Sequence, residues 1–186
     1  MRRVIFQNMI SLDGYFEGPG REIDWHNVDN EFNEIAIKFL NSVDLLIFGR
    51  VTYELMVAYW PSEAALTDDP VIAGLMNKMA KIVFSRSLEK VGWKNTRMIR
   101  DNIVYEVIRL KMEPGKDIAI FGSSDLALAL IPANLIDEYR IIVNPIFLGK
   151  GKSLLQGLDT RLKLELMNAE SFQSGNVLLR YEIQKK

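Results

Sequence analysis

The chain has 186 residues, 48% of them apolar and 25% charged, with a formal net charge of −1. That length fits one domain spanning residues 1–186, and the composition is that of a folded globular chain rather than a disordered one. The near-neutral charge argues against a nucleic-acid platform. The absence of cysteine removes disulfides, a thiolate nucleophile and cysteine-type zinc sites.

The first element is Val4 to Ile10. Two arginines followed by a short apolar run have the outline of a leader peptide. Gln7 and Asn8 interrupt that run and no small-residue cleavage site follows, so a β-strand is expected. Ser11-Leu12-Asp13-Gly14 turns out of it into a polar, glycine-rich loop. Asp29 or Asn30 then caps a helix whose Phe32, Ile35, Ala36, Phe39 and Leu40 form one apolar stripe.

Val43 to Phe48 reads as a central parallel-type strand, ending at Gly49-Arg50. A helix begins near Val51 and stops at Pro61. Residues 62–69 read as a loop, and Pro70 opens another short helix that runs to Met79. Lys81 to Phe84 is the next strand, followed by Ser85-Arg86-Ser87. Thr96 to Ile99 forms a short strand. Asp101 or Asn102 caps a helix that Glu113-Pro114-Gly115 ends.

Ile118 to Phe121 is an apolar strand that breaks at Gly122-Ser123-Ser124 and re-enters helical spacing at Leu126. Tyr139 to Val143 is a further strand. Residues 162–172 and 177–184 flank Gln173-Ser174-Gly175-Asn176 and form a terminal antiparallel hairpin. Strands alternating with helices predict an α/β chain whose mostly parallel sheet ends in that hairpin. No stretch has the apolar length of a membrane span. A cytoplasmic protein is the expectation.

Ligands of open α/β sheets bind beyond the carboxyl ends of the strands. The exits read here are Ser11-Leu12-Asp13-Gly14, Gly49-Arg50-Val51-Thr52, Ser85-Arg86 and Gly122-Ser123-Ser124-Asp125. Glycines admit a phosphate to the backbone, hydroxyls donate hydrogen bonds, and Arg50 and Arg86 carry planar, permanently charged forks. Strand-to-helix turns favour Gly and Ser in any case, but together these exits favour a phosphate-bearing nucleotide. Neither G-x-G-x-x-G nor G-x-x-x-x-G-K-[ST] occurs. No His, Asp and Glu set has metal-ligand spacing, so no metal is expected.

Three stretches carry a family resemblance. Phe48-Gly49-Arg50-Val51-Thr52-Tyr53-Glu54 resembles the G-R-x-T-[WY]-E turn of the dihydrofolate reductase fold. Val83-Phe84-Ser85-Arg86 resembles its L-S-R turn. Residues 120–151 are similar to the riboflavin-biosynthesis pyrimidine reductase domain, through Gly122-Ser123, Leu126 to Leu130, Leu135-Ile136-Asp137-Glu138 and Pro145-Ile146-Phe147-Leu148-Gly149-Lys150-Gly151. Ser11-Leu12-Asp13-Gly14 matches as well.

The resemblance implies a three-layer α/β/α fold and NADPH as cofactor. It places Gly49, Arg50, Thr52, Ser85 and Arg86 at the adenosine 2′-phosphate end. It places Gly122, Ser123, Ser124 and Asp125 at the pyrophosphate, with a cis peptide common at the glycine pair. It implies an NADPH-dependent reductase of a small pterin- or pyrimidine-like heterocycle, of the 5-amino-6-(5-phosphoribosylamino)uracil reductase type, working as a homodimer. True dihydrofolate reduction, or a nucleotide-binding module without turnover, is the alternative.

In the substrate half, Asp24 and Asp29 lie near the first helix and are the candidate proton relays. Asp13 either contacts substrate or stabilises its Asp-Gly turn. Trp25 either lines the pocket or plugs the core edge. His26, the single histidine, is expected in solvent.

Overall fold

The computed structural model describes residues 1–184. In chain order the elements are β1 (Val4–Ser11), β2 (Tyr15–Glu17), α1 (Asn30–Ser42), β3 (Val43–Gly49), α2 (Arg50–Tyr59), α3 (Glu63–Asp68), α4 (Pro70–Lys78) and β4 (Ala80–Phe84). There follow β5 (Thr96–Ile99), α5 (Ile103–Met112), β6 (Asp117–Phe121), α6 (Ser124–Leu130), β7 (Glu138–Asn144), β8 (Lys152–Ser153), β9 (Leu164–Ser171) and β10 (Val177–Ile183).

One eight-stranded sheet has the order β5-β4-β3-β6-β1-β7-β10-β9. Its pairs are parallel from β5 through β7; β10 is antiparallel to both β7 and β9. The mixed α/β architecture expected from the sequence is therefore present, with the antiparallel strands at the C-terminal end.

Alternation along each strand sorts side chains to two faces. Val4, Phe6, Leu45, Ile47, Ile118 and Ile120 pack with Val107 and Leu110 of α5 and with Leu126 and Leu130 of α6. Ile5, Leu46, Phe48 and Ala119 pack on the opposite side with Phe39 and Leu40 of α1, Tyr53 of α2 and Met76 of α4. Helices on both faces of one sheet make three layers. The last strand departs from this plan: all eight residues of β9 are exposed, with Leu166 and Met167 each at 53%.

Local chemistry corrects one reading and decides another. Residues 62–69 are not a loop. Ser62 accepts a hydrogen bond from the Ala65 N–H, and that cap starts α3. Asn102 takes the N-cap position of α5 in a left-handed conformation, φ 57°, without a side-chain cap bond. Asp101 is turned away to pair with Arg86 at 3.1 Å.

The strand exits β2 and β8 also form a separate two-stranded sheet. Gly151, at φ +153°, lets that pair close, because a Cβ there would strike the Glu17 carbonyl. Lys81 is 1% exposed and closes α4 from below, its ammonium donating to the carbonyls of Met76 (2.8 Å) and Met79 (2.6 Å).

Candidate functional site

A cleft of about 590 Å³ opens at the carboxyl ends of β3, β4 and β5, beside the start of α6. Gly49, Arg50, Thr52, Ser85, Arg86, Arg100, Asn102, Ser123 and Asp125 line it. Of the residues proposed from sequence at three separate turns, seven are thus gathered on one wall system. Gly122 and Ser124 are not among its lining. Ser124 is 2% exposed, and its hydroxyl accepts from the Leu155 N–H at 3.1 Å. Its side chain anchors the following loop and does not face the cleft.

Three helices begin at this cleft. α2 starts at Arg50 behind Gly49, α5 at Ile103 behind Asn102, and α6 at Ser124 behind Ser123, and none has a side-chain cap bond. Of the helices that begin elsewhere, α1 and α3 are capped by Asp29 and Ser62, and α4 lacks a side-chain cap but opens on Pro70, which has no N–H to satisfy. An uncapped first turn leaves backbone N–H groups for an external acceptor. The partial positive charge of the helix end favours an anion there.

Ser123 explains itself once its contacts are followed. Its hydroxyl accepts from the Gly49 N–H at 2.6 Å and lies 3.0 Å from Thr52 Oγ1, while its own N–H donates to that oxygen at 3.2 Å. Gly122 and Ser123 are both left-handed, at φ 54° and 55°, and no cis peptide occurs among the described residues. A Cβ on Gly122 would sit 3.1 Å from Thr52 Oγ1, and one on Gly49 would sit 3.0 Å from Ser123 Oγ. The two turns are knitted at a distance that only glycines at 49 and 122 accommodate without displacement. The Ser123 and Thr52 hydroxyls are spent on that joint.

The cations are held less firmly. Arg50 pairs with Glu54 one turn along α2 at 2.9 Å, with both side chains substantially exposed. Arg86 is 84% exposed beside Asp101. Arg100 donates to the Arg86 carbonyl at 3.0 Å. Exposed pairs of this kind contribute little, from about 0 to 1 kcal/mol, so a phosphate can displace them. Asp125 adds a negative charge at the rim, paired with Lys152 at 3.0 Å. Ser85 accepts from the Leu88 N–H at 2.9 Å and shapes its turn.

A second cleft, of about 630 Å³, lies at the opposite ends of the strands. Two of its four lining cations are firmly engaged. Arg2 is bound to Asp44, and Lys81 is buried against helix carbonyls with Trp93 4.5 Å away. Size alone does not favour either cleft. The uncapped helix starts and the group of three arginines belong to the first.

The exits of β1 and β7 are built differently. The Asp13 carboxylate accepts from Ser11 Oγ at 2.6 Å and from the N–H groups of Leu148 (3.1 Å) and Gly149 (2.8 Å). The Ser11 hydrogen bond above all, helped by those backbone bonds, holds its pKa below the usual 3.8 against the opposing effect of burial. Asp13 therefore rivets two loops. Asn144 Oδ1 accepts from the Asn27 N–H at 2.8 Å, and Asn176 Nδ2 donates to the Asn27 carbonyl at 2.6 Å. These amides close the loop of residues 22–29 onto the hairpin turn.

His26 is inside that closure, not in solvent. Its Nε2 is buried without a partner, and burial lowers its pKa to about 4. Trp25 is half-buried, edge-on to His26, with its indole N–H on the Glu22 carbonyl at 3.1 Å. Asp29 spends its carboxylate on the Phe32 N–H at 2.7 Å. Asp24 is exposed, and its side chain makes no hydrogen bond among the described residues.

The model of the RibD C-terminal domain matches residues 2–178. The chain belongs to the RibD C-terminal domain family.

The uncharacterized protein YyaP of Bacillus subtilis is 34% identical over 180 residues, covering 97% of this chain and 94% of that protein. Among solved structures, a putative riboflavin biosynthesis protein from Shewanella sp. PV-4 is similar with TM-score 0.75 and 22% identity, over 98% of this chain and 99% of that one. Dihydrofolate reductase from Enterococcus faecalis, complexed with NADP(H) and RAB-propyl, is similar with TM-score 0.67 and 15% identity, over 98% of this chain and 97% of that one. At these identities the structures establish a shared fold with reductases.

Within this RibD C-terminal domain chain, sequence reasoning missed Arg100 and Asn102, which follow β5. Thr96–Ile99 is so short that its exit was not counted with the others. The parallel pairing of β5 with β4 was the available signal, because it aims both exits the same way. The cleft also passes a chemical test for a dinucleotide: arginines for phosphate oxygens, uncapped helix starts, and glycines at the close approach.

Proposed function

We propose that this RibD C-terminal domain protein is an NADPH-dependent reductase of a small, planar heterocycle, pterin- or pyrimidine-like. One observation carries the reading: the uncapped starts of α2, α5 and α6 converge with Arg50, Arg86 and Arg100 on one cleft. Arg50 and Arg86 would bind the 2′-phosphate end of the cofactor. The backbone of Gly122 to Asp125 would receive the pyrophosphate. Gly49 and Thr52 keep the two turns in contact through Ser123. When bound, NADPH supplies the hydride; the protein contributes placement and exclusion of water.

The substrate would lie toward α1 and β1, near Trp25. Of the two carboxylates considered for proton relay, Asp24 is the one whose side chain is not already committed, since Asp29 caps α1. A nucleotide-binding module without turnover would share the same cleft. The commitment of Asp29 is the observation that favours it. We further propose self-association, with the bare edge of β9 available to a second copy. Light scattering reads that state directly, and Leu166→Lys is expected to shift a dimer toward monomer.

The functional test is a fluorescence titration with NADPH, followed by a screen for its oxidation with pterins, pyrimidines and dihydrofolate. Binding at micromolar cofactor with turnover on a heterocycle supports the reductase. Binding without oxidation of any acceptor supports the module, and no binding at high micromolar NADPH rejects both. Turnover of dihydrofolate with methotrexate competition identifies dihydrofolate reduction.

A further inference from the structure

A row of side chains crosses the sheet beneath α1 and ends in a cation. Phe121 of β6, Gln7 of β1, Arg140 of β7 and Arg180 of β10 are successive register partners. The Phe39 ring of α1 lies 5.9 Å from that of Phe121, and the Arg140 guanidinium carbon lies 4.3 Å from the Phe39 ring centre. Arg140 Nε donates to Gln7 Oε1 at 3.0 Å. The fork thus lies over an aromatic face and is tethered at one nitrogen.

Arg140 is only 8% exposed. A buried cation is costly unless it is paired. Its nearest paired carboxylate oxygen belongs to Glu138 at 3.8 Å, beyond hydrogen-bond reach. That carboxylate already accepts from Arg180 Nε at 2.7 Å and pairs with Arg3 at 3.2 Å. Glu170 acts on both Arg140 and Arg180 from β9, and Arg3 shares Glu182.

Among the described residues, the two terminal amino groups of Arg140 make no hydrogen bond, yet neither is sealed from solvent. Burial is the largest influence on its pKa and lowers it below the ordinary arginine value. Above the fork, Phe32, Ile35 and Ala36 of α1 and Gln7, Met9 and Phe121 of the sheet are half-buried rather than closed.

We infer that Arg140, set by Gln7 and Phe39, is the anion-recognising residue of the substrate half, and that the ligand is a planar heterocycle bearing a ring-attached carboxylate. A guanidinium fork matches a carboxylate in two parallel bonds, and here both terminal nitrogens are without a hydrogen bond among the described residues, with Glu138 3.8 Å from one of them. Two strand spacings, roughly 10 Å, separate Arg140 from Phe121 in the sheet. Phe121 leads directly into the Gly122 turn, whose N–H donates to the Gln7 carbonyl at 3.0 Å. A ring admitted between α1 and the sheet would have its acid edge on Arg140 and its far edge toward that turn. The assignment of a reacting edge rests on the cofactor reading above; the carboxylate contact does not.

The test compares orotate with uracil, the same ring with and without a carboxylate, by calorimetry with and without NADPH. Orotate is expected to bind at least about tenfold tighter, the range of one charge-assisted pair. Arg140→Gln should abolish that preference while leaving the NADPH affinity within about twofold; Arg140→Lys should keep part of it. Gln7→Leu leaves the cation in place but frees Nε, and should reduce the preference several-fold even if Arg140→Gln fails to fold.

Equal affinity for the two rings, no binding of either, or an Arg140→Gln protein that retains the preference would overturn the inference. A preference that survives in a protein that does not bind NADPH rejects the cofactor reading and supports this one. NADPH binding without the preference does the reverse.

Discussion

The two halves of the sheet's carboxyl edge are finished in opposite ways. At β3, β4 and β5, and at the start of α6, helices begin without side-chain caps and exposed arginines stand in weak pairs. At β1 and β7 no helix begins at once. Asp13 and three asparagines tie the loops shut, and a neutral histidine is enclosed. The first half leaves backbone N–H groups and arginine forks accessible; the second spends its polar groups on the protein. Under the function proposed above, the first would anchor a charged cofactor and the second would shape the recess beside it.

The contrast yields predictions, in order of decreasing effect. Arg50→Gln with Arg86→Gln should weaken NADPH binding by about 4 kcal/mol, roughly a thousandfold, if each arginine contributes one charge-assisted contact. NADH, which lacks the 2′-phosphate, should bind both proteins about equally. Competition titrations of the two cofactors read this directly, and a uniform loss for both would break the open-half account.

His26 gives the next effect. Its folded pKa, about 4, is below the ordinary 6.5. The folded protein therefore resists a proton that the unfolded chain accepts. Stability is full above pH 6.5 and is lost as pH falls toward 4, on the order of 3 kcal/mol in total. Denaturant midpoints from pH 7 to 4.5 should fall for the native protein and flatten for His26→Gln.

Ser123→Ala removes the joint between the Gly49 and Gly122 turns. A loss of about 1–2 kcal/mol in stability is expected, with weaker NADPH binding and unchanged behaviour at the Asp13 loops. Asp13→Asn should be the mildest. Its carboxylate stabilises the loops above pH 3.8 and ceases to do so as pH falls through its lowered pKa. Hydrogen exchange at Leu148 and Gly149 should speed up in the variant, with the cleft unaffected.

Much of the fold was legible because apolar runs and turn residues state it. Val43 to Phe48 and Ile118 to Phe121 are buried on both faces, so their continuous apolar character marked central strands. The lining of the first cleft was legible for a related reason: glycine and arginine at strand ends are visible one at a time.

What escaped depends on partners distant in sequence. Ser124 looked like a phosphate ligand, but its hydroxyl is taken by Leu155. Asp29 was open to two readings, helix cap and proton relay, and its bond to the Phe32 N–H bears out the cap. Arg140 lies inside an ordinary apolar strand; only its register beside Gln7 and its stacking on Phe39 reveal it. His26 looked like a loop residue because the asparagines that bury it come from β7 and the hairpin turn.

Amide chemical-shift mapping during an NADPH titration tests the central claim most directly. The account predicts saturable shifts at Gly49 to Thr52, Ser85 to Ser87, Arg100 to Ile103 and Gly122 to Asp125, absent with NADH at the positions nearest Arg50 and Arg86. Shifts confined to the opposite cleft around Lys81 and Trp93, or no saturable shifts at all, would contradict it.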